Sequence, residues 1–259
     1  YVDKSLLIDE VNSVMLTENR FMCVTRARRF GKSVAVKMLN AYYDKSCDSR
    51  QLFSNLAISQ CPSFEKHLNR YPVIYLDITD FLTKYGGGNE QIVDKMKHDL
   101  TEELLSQYAD VTMTGNDDLM DLLVKIVERT GEKFVCLIDE WDALCREGRE
   151  QGMDEYVELL RRLFKGSQTD YVFSVVYMTG ILPIKRYNTQ SALNNFEEYT
   201  MLSPAQLAPY FGFREEEVAT LCAQKGMDVA EMKRWYDGYQ LGAERSIYNP
   251  YAVDRKSVV

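Results

Sequence analysis

The residues best suited to chemistry lie in one basic stretch near the start of the chain, positions 25–33. There Gly31, Lys32 and Ser33 follow an apolar run and open a helical pattern, which is the context that a phosphate-binding loop requires. Gly31 lets backbone amides approach phosphate oxygens, and the helix N-terminus adds further N–H donors. In this interpretation Lys32 reaches the β- and γ-phosphates of a nucleotide, and the Ser33 hydroxyl coordinates Mg²⁺.

The stretch departs from the complete pattern G-x-x-x-x-G-K-[ST], because Arg26 stands where the first glycine is expected. Two more arginines, Arg28 and Arg29, could offer charge and fork-shaped donors to a polyphosphate. A solvated basic turn is the alternative, and an isolated Gly-Lys-Ser is more often only that. The predicted nucleotide contacts are Arg26, Arg28, Arg29, Phe30, Gly31, Lys32 and Ser33.

Two adjacent carboxylates supply the partner that such a loop needs. Asp139 and Glu140 follow the apolar run 134–138, so they lie at the carboxyl end of a predicted strand, where open parallel sheets bind ligands. We expect this strand to neighbour the one before the basic stretch. Asp139 would then hold Mg²⁺, and Glu140 would act as general base on the attacking water. Considered alone, the two acids would more often cap a turn.

Other polar residues are weaker candidates. Thr179 ends the next predicted strand and could contact the γ-phosphate or the attacking water, or simply precede a glycine turn. Asp77 ends an earlier strand and could support the site or cap a turn. Arg161 and Arg162 could act across a subunit contact as an arginine finger, although a solvated helix face is the more usual role of such a pair.

The elements that must position these residues alternate along the chain. Helical apolar stripes lie between short apolar runs rich in β-branched residues. The alternation predicts an α/β fold with a mostly parallel five-stranded sheet covered by helices on both faces. Together with the candidate phosphate-binding loop, this predicts a P-loop NTPase three-layer sandwich. The predicted strands are 21–25, 73–78, 134–138, 171–178 and a weaker one at 199–202, and the helical stripes lie at 34–42, 93–104, 119–127 and 156–164.

The alternation stops after about residue 204. The stretch 215–225 predicts a helix, and Asp228 is placed to cap another. We therefore expect an α/β core, 1–203, followed by a small helical appendage and C-terminal segment, 204–259. Three consecutive glycines at 86–88 predict a flexible loop.

Composition narrows the class of protein. The 259 residues are 46% hydrophobic and 27% charged, close to ordinary globular values. A formal net charge of −8 argues against coating nucleic acid or anionic membrane by bulk charge. No apolar run approaches the roughly 18 residues that span a bilayer. The six cysteines include no CxxC pair, and the chain shows no signal-peptide pattern, so we expect no zinc site and a cytoplasmic location.

Several short motifs, taken in order, give the chain a family resemblance. The motifs are 1–4 (Tyr-Val-Asp-Lys), 26–33 (Arg-Ala-Arg-Arg-Phe-Gly-Lys-Ser), 52–58, 137–142 (Leu-Ile-Asp-Glu-Trp-Asp), 178–180, 235–239 and 248–250. Together they resemble the AAA-ATPase-like domain proteins of bacteria and archaea, from the first residue to about Val253. The resemblance implies a P-loop ATPase core with a helical lid, using ATP and Mg²⁺. Relatives tend to carry Arg at the position of Arg26, whereas Ala27 stands where they often have Pro.

The resemblance also implies partners. Relatives often continue into a PD-(D/E)XK nuclease-like domain, whose pattern is absent here, so we expect either a fragment or a chain whose ancestor lost that domain. A homo-oligomer, or a protein or nucleic-acid partner acting through such a domain, would fit; a membrane would not. ATP is preferred over GTP because 83–86 lacks the Asp of a guanine-reading [NT]KxD motif.

Two functions remain open at this point. The first is Mg²⁺-dependent ATP hydrolysis that drives a conformational switch. The second is a weakly hydrolytic or non-hydrolytic module, a nucleotide-dependent scaffold for a partner protein, a nuclease domain or nucleic acid.

Overall fold

The computed structural model describes residues 2–85, 92–146, 150–184, 193–236, 238–242 and 244–256. The predicted glycine loop at 86–88 lies outside these residues, as do position 237 of the 235–239 motif and the last three residues of the chain.

A parallel sheet organises the described residues. Its strands are β1 (Phe21–Thr25), β2 (Val73–Asp77), β3 (Phe134–Asp139), β4 (Phe173–Gly180) and β5 (Glu197–Tyr199). They are arranged in the order β2-β3-β4-β1-β5, and every neighbouring pair is parallel. The predicted α/β fold with a five-stranded sheet is therefore confirmed within the described ranges.

One detail of the predicted sheet is wrong. We expected β3 to neighbour β1, but β4 lies between them and pairs with both. Strand order depends on contacts between distant parts of the chain, which local apolar patterns do not encode. As a consequence the end of β4, with Thr179, stands between the two candidate halves of the site.

The fifth strand begins and ends earlier than predicted. It covers Glu197–Tyr199 rather than 199–202, because the chain turns directly after it. Thr200 N–H donates to the carbonyl of Ser203, and Ser203 N–H donates to the Thr200 hydroxyl, at 3.1 and 3.0 Å. The apolar Leu202 therefore lies in the turn and is 91% exposed. Similarly, residues 171 and 172 end a short helix rather than beginning β4.

Helices cover both faces of the sheet. In the part of the chain before β5 they are α1 (Leu7–Val14), α2 (Lys32–Tyr43), α3 (Arg50–Phe53), α4 (Phe64–His67), α5 (Ile78–Tyr85), α6 (Ile92–Gln107), α7 (Leu119–Thr130), α8 (Ala143–Arg146), α9 (Glu150–Phe164) and α10 (Thr169–Val172). Alternate strand residues enter opposite cores, since successive side chains of a strand point to opposite faces. Phe21 and Cys23 pack in the core of α6, α7 and α9, whereas Met22 and Val24 pack in the core of α1 and α2. The result is the predicted three-layer arrangement.

One position of the stripe predicted for α2 does not face the core. Val34 was expected to face the core but is 68% exposed, whereas Ala35, Val36 and Leu39 are buried. Gly31 precedes the helix as its N-cap, and its left-handed φ of +88° sets the direction of the first turn. That turn directs Lys32, rather than Val34, inward.

The C-terminal stretch contains both predicted helices and a hairpin that was not predicted. Its elements are α11 (Glu215–Lys225), α12 (Val229–Tyr236), β6 (Tyr239–Leu241), β7 (Glu244–Ile247) and α13 (Pro250–Lys256). As expected, Asp228 caps α12, accepting a hydrogen bond from Ala230 N–H at 2.8 Å. β6 and β7 pair antiparallel with an irregular register. The division at residues 203 and 204 stays a prediction. Among the described helices, none has both the length and the apolar character needed to cross a bilayer.

Candidate functional site

The basic stretch forms a loop between the end of β1 and the start of α2. Its first amide, Arg26 N–H, donates to the carbonyl of Gly180 at 3.1 Å and so continues the pairing of β1 with β4. The loop then turns through left-handed residues at Arg29 (φ +68°) and Gly31 (φ +88°). A strand, a tight turn and a helix N-terminus therefore follow one another, as phosphate-binding loops require.

The Lys32 side chain folds back over this loop. Its Nζ donates to the carbonyls of Arg26 and Ala27 at 3.2 and 3.3 Å. It also lies 3.6 Å from Glu140 Oε1. The residue is only 4% exposed, and burial lowers the pKa of its ammonium, while the charges of Glu140, Asp139 and Asp142 oppose that shift. A desolvated ammonium in this position is stabilised electrostatically by any anion that takes the place of the two carbonyl oxygens.

Asp139 lies fully buried at the end of β3. Its Oδ1 accepts the Thr179 hydroxyl and, at 3.1 Å, the N–H of Glu140. Its other oxygen, Oδ2, is buried without a hydrogen-bond partner. A buried carboxylate oxygen without a partner is costly, so this atom suits a ligand that supplies positive charge.

The donor set fits a divalent cation bound together with phosphate. Oxygen ligands such as the Asp139 carboxylate and the Ser33 hydroxyl are those that Mg²⁺ prefers, and Mg²⁺ commonly uses one or two carboxylates plus substrate phosphates. The Ser33 hydroxyl makes no hydrogen bond within the described ranges, and the residue is half-buried. No group of three or more His, Cys, Asp or Glu side chains in the described part of the chain is arranged to hold a metal by itself.

Glu140 occupies a strained backbone position between two cations. Its φ of +54° is unusual for a residue with a side chain, and such strain is commonly stored at functional sites. Its Oε1 faces Lys32, and its Oε2 accepts a hydrogen bond from Arg146 Nη2. The carboxylate therefore has a fixed orientation at the ends of the central strands.

The three arginines of the loop point to different surroundings. Arg26 is fully buried; its Nη1 donates to the carbonyls of Thr25 and Tyr199, and its guanidinium lies 4.9 Å from the centre of the Phe211 ring. Burial lowers the pKa of Arg26 to about 10, so the group stays charged at neutral pH. Arg28 and Arg29 are exposed. Direct phosphate contacts by these arginines stay predictions.

The structure also locates the weaker candidate residues and shows their contacts. The Thr179 hydroxyl is fully buried and donates to Asp139, so in this structure it orients that carboxylate. Asp77 lies opposite Asp139 in the sheet and accepts the N–H groups of residues 79 and 80, which is the capping alternative. Arg161 and Arg162 are exposed on α9, where both lie within ion-pair distance of Glu158.

The structure adds residues that the sequence analysis did not assign. Asp142 is fully buried and accepts the N–H groups of Ile181 and Leu182, at 3.2 and 2.9 Å. Arg146, one helical turn later, lies between Asp142 and Glu140. The spacing of Asp142 and Arg146, four residues apart after an acidic strand end, is the sequence signal that could have found them.

Gly180, the last residue of β4, lies against Trp141 and Asp142 beside the site. A Cβ at this position would lie 2.5 and 2.6 Å from Cδ1 and Nε1 of Trp141, and 2.9 Å from Asp142 Oδ1. We expect Gly180→Ala to lower the free energy of unfolding by about 1–3 kcal/mol, since the rigid indole cannot yield without moving the backbone beside Glu140. Urea denaturation measures the effect. Gly115→Ala is the control, because its Cβ would meet no atom within 4 Å, and an equal loss in both variants would contradict the prediction.

Residues of the C-terminal segment contact the loop between β1 and α2 from outside. Asn249 Nδ2 donates to the carbonyl of Arg28 at 3.3 Å, and the guanidinium of Arg29 lies 3.9 Å from the centre of the Tyr251 ring. Phe30 is buried and meets the Tyr239 ring edge to face, with centroids 4.9 Å apart. These contacts join the loop to Tyr239, Asn249 and Tyr251.

The fold and the site together define a P-loop protein. A family model described as Predicted AAA-ATPase matches residues 1–189, so the chain belongs to that family. The family resemblance is thereby confirmed over residues 1–189, whereas its extension to about Val253 and the fused nuclease-like domain stay predictions. The family and the fold support an ATP-binding protein. A search of curated proteins gives no match.

Solved structures also match the chain. One is that of the Aeropyrum pernix ORC2 protein, solved as ADPNP-ADP complexes, with a TM-score of 0.44 and 11% sequence identity. The match covers 88% of this chain and 51% of that protein, so the chain spans about half of the other's length.

Proposed function

We propose that this chain binds ATP with Mg²⁺ and hydrolyses it to drive a conformational switch. The observation that carries the proposal is the meeting of three groups at the strand ends. Lys32 Nζ lies 3.6 Å from Glu140, beside Asp139, whose Oδ2 has no partner. A buried cation, a candidate base and a metal-ligating oxygen are the parts that phosphoryl transfer to water needs.

Binding would use the loop and its lysine. The amides at the start of α2 would donate to phosphate oxygens, and Lys32 would exchange the carbonyls of Arg26 and Ala27 for the β- and γ-phosphates. Ser33 and Asp139 would hold the Mg²⁺. When bound, the ion neutralises charge that develops on the phosphates.

Hydrolysis would depend on Glu140. Its Oε1 faces the position from which Lys32 would move when phosphate binds. That oxygen would then accept the proton of the attacking water as general base. Thr179 would keep Asp139 in place through its hydroxyl, or turn toward the water itself.

The conformational switch would involve the contacts that Tyr239, Asn249 and Tyr251 make with the loop. If Arg29 contacts phosphate, its guanidinium must leave its position over the Tyr251 ring in α13. Phosphate binding would then favour a rearrangement of α13 relative to the loop. A differential interaction of this kind is what allows a ligand to shift a conformational equilibrium.

One observation favours the second function, a nucleotide-dependent scaffold with little hydrolysis. Lys32 Nζ lies 3.6 Å from Glu140 Oε1, the oxygen that would face the attacking water. If Lys32 keeps this contact when ATP binds, Oε1 stays occupied and the protein holds nucleotide without turning it over.

Calorimetry and phosphate release test both functions in one experiment. The wild type is expected to bind ATP tightly with Mg²⁺ and weakly with EDTA, and to release phosphate. Asp139→Asn should remove the Mg²⁺ dependence of binding, whereas Asp154→Asn, an exposed carboxylate on α9, should not. Tight binding without phosphate release favours the scaffold, and absence of binding contradicts both functions. GTP in place of ATP tests the base preference.

A further inference from the structure

Arg146 joins two carboxylates beside the candidate base. It ends α8, and its Nη2 donates to Glu140 Oε2. On its other side, Nε lies 3.2 Å from Asp142 Oδ2. The Arg146 and Glu140 side chains are 17% and 20% exposed, so water screens the pair only in part.

Asp142 is itself immobilised. It has no exposed surface, and its carboxylate accepts the amides of Ile181 and Leu182, directly after β4. The backbone of Arg146 is fixed as well, since its N–H donates to the Asp142 carbonyl at 3.0 Å. A path of polar contacts thus runs from the end of β4 through Asp142 and Arg146 to Glu140.

This path determines which carboxylate oxygen of Glu140 is free of Arg146 and can face the phosphate loop. Arg146 occupies Oε2, and Oε1 faces Lys32 Nζ at 3.6 Å, toward the phosphate loop. Without Arg146, nothing among the contacts described for Glu140 would stop its carboxylate from turning about its last torsion, since such terminal torsions are broad. Lys32 alone would then hold it, until phosphate drew that lysine away.

We propose that Arg146 is a positioning residue for hydrolysis: it holds Oε2 of Glu140 so that Oε1 faces the attacking water once Lys32 moves to the phosphates. This inference rests on the proposed function. The guanidinium contacts the two carboxylates and needs no contact with the nucleotide. The hydrogen bond from Nη2 to Glu140 and the ion-pair contact of Nε with Asp142, which lacks hydrogen-bond geometry, hold the guanidinium between the two carboxylates. A lysine ammonium reproduces this arrangement only in part.

The test separates turnover from binding. Arg146→Met is expected to lower kcat about 10- to 100-fold, the range seen when an orienting partner is lost, while the Kd for Mg-ATP changes less than about threefold. Arg146→Lys should restore part of the lost kcat. Arg129→Met is the matched control: it breaks an exposed ion pair with Asp110 at the end of α7 and should leave both constants unchanged.

A double variant shows whether Arg146 acts through Glu140. In the Glu140→Gln background, adding Arg146→Met should reduce kcat no further, because residues that act as a unit are not additive. The proposal is overturned if the kcat losses of the two single variants multiply in the double variant. It is also overturned if Arg146→Met leaves kcat unchanged, or if its Kd for Mg-ATP rises by the same factor by which kcat falls. Circular dichroism and thermal melts verify that each variant folds, and Arg146→Lys keeps the comparison possible if Arg146→Met does not.

The outcomes also separate this inference from the proposed function. Turnover that depends on Glu140 and not on Arg146 overturns the inference alone. A wild type that binds Mg-ATP and releases no phosphate overturns hydrolysis, and the positioning role falls with it.

Discussion

Lys32→Ala is expected to weaken ATP binding by about 100-fold or more, equivalent to about 2.8 kcal/mol or more of binding free energy. The side chain is 4% exposed, so the desolvation of its charge is already paid for in the folded protein. Phosphate oxygens that replace the Arg26 and Ala27 carbonyls therefore gain a strong charge-assisted contact at little added cost. Alanine removes that contact and leaves Glu140 and Asp139 facing the phosphates without the lysine.

The neighbouring arginines are not expected to compensate for this loss. Arg26 is turned inward toward Tyr199 and Phe211, and Arg29 lies over Tyr251. To reach phosphate, either guanidinium would have to give up contacts that fasten the loop to the rest of the molecule.

Lys37→Ala is the matched control for this prediction. Lys37 lies on the same helix, α2, but is exposed, so its removal changes the net charge equally and leaves the loop intact. Calorimetry with Mg-ATP compares the two variants, and thermal melts verify that both fold. An affinity reduced equally in both would mean that the protein's overall charge, and not this site, sets binding.

The meeting of Lys32, Asp139 and Glu140 could be predicted from sequence for a physical reason. Carboxyl ends of parallel strands converge at one edge of a sheet, so motifs at the ends of two such strands come close whatever the strands between them. The prediction therefore survives the insertion of β4 between β1 and β3. The buried stripes of α6, α7 and α9 follow equally from local apolar periodicity.

The surroundings of Arg26 could not be predicted in this way. Its guanidinium contacts the Tyr199 carbonyl, 173 positions away, and stacks near Phe211. Sequence alone offered a basic loop and suggested that every cation in it faces phosphate. Only the tertiary structure shows that one of them fastens the loop to the edge strand, with Nε and Nη2 left without hydrogen-bond partners.

The contacts of Tyr239, Asn249 and Tyr251 with the loop could not be predicted either, because β6 and β7 have only three and four residues, too few for a periodic pattern. These contacts and the Arg146 path place two different constraints on the same site. The first holds the shape of the phosphate loop, and the second holds the orientation of the base. Binding and turnover are therefore expected to respond to different substitutions.

The variant Glu140→Gln is expected to separate binding from turnover. We expect this variant to bind Mg-ATP with a Kd within about threefold of wild type, while phosphate release falls about 100-fold or more, in line with the loss of a general base. Glutamine keeps the length of the side chain and its hydrogen bond from Arg146, but an amide cannot take a proton from water. Removing the negative charge that faces Lys32 also favours phosphate binding, so affinity is not expected to fall.

Glu155→Gln, an exposed carboxylate on α9, is the control for charge and should keep full turnover. Single-turnover measurements with bound ATP distinguish slow chemistry from slow product release. Undiminished phosphate release in Glu140→Gln would show that another group activates the water; Thr179 would then be the next candidate, since its hydroxyl lies beside Asp139 at the same edge of the sheet. A parallel loss of binding and release would instead mean that Glu140 supports the loop through Lys32, because a residue needed only for chemistry leaves ground-state affinity intact.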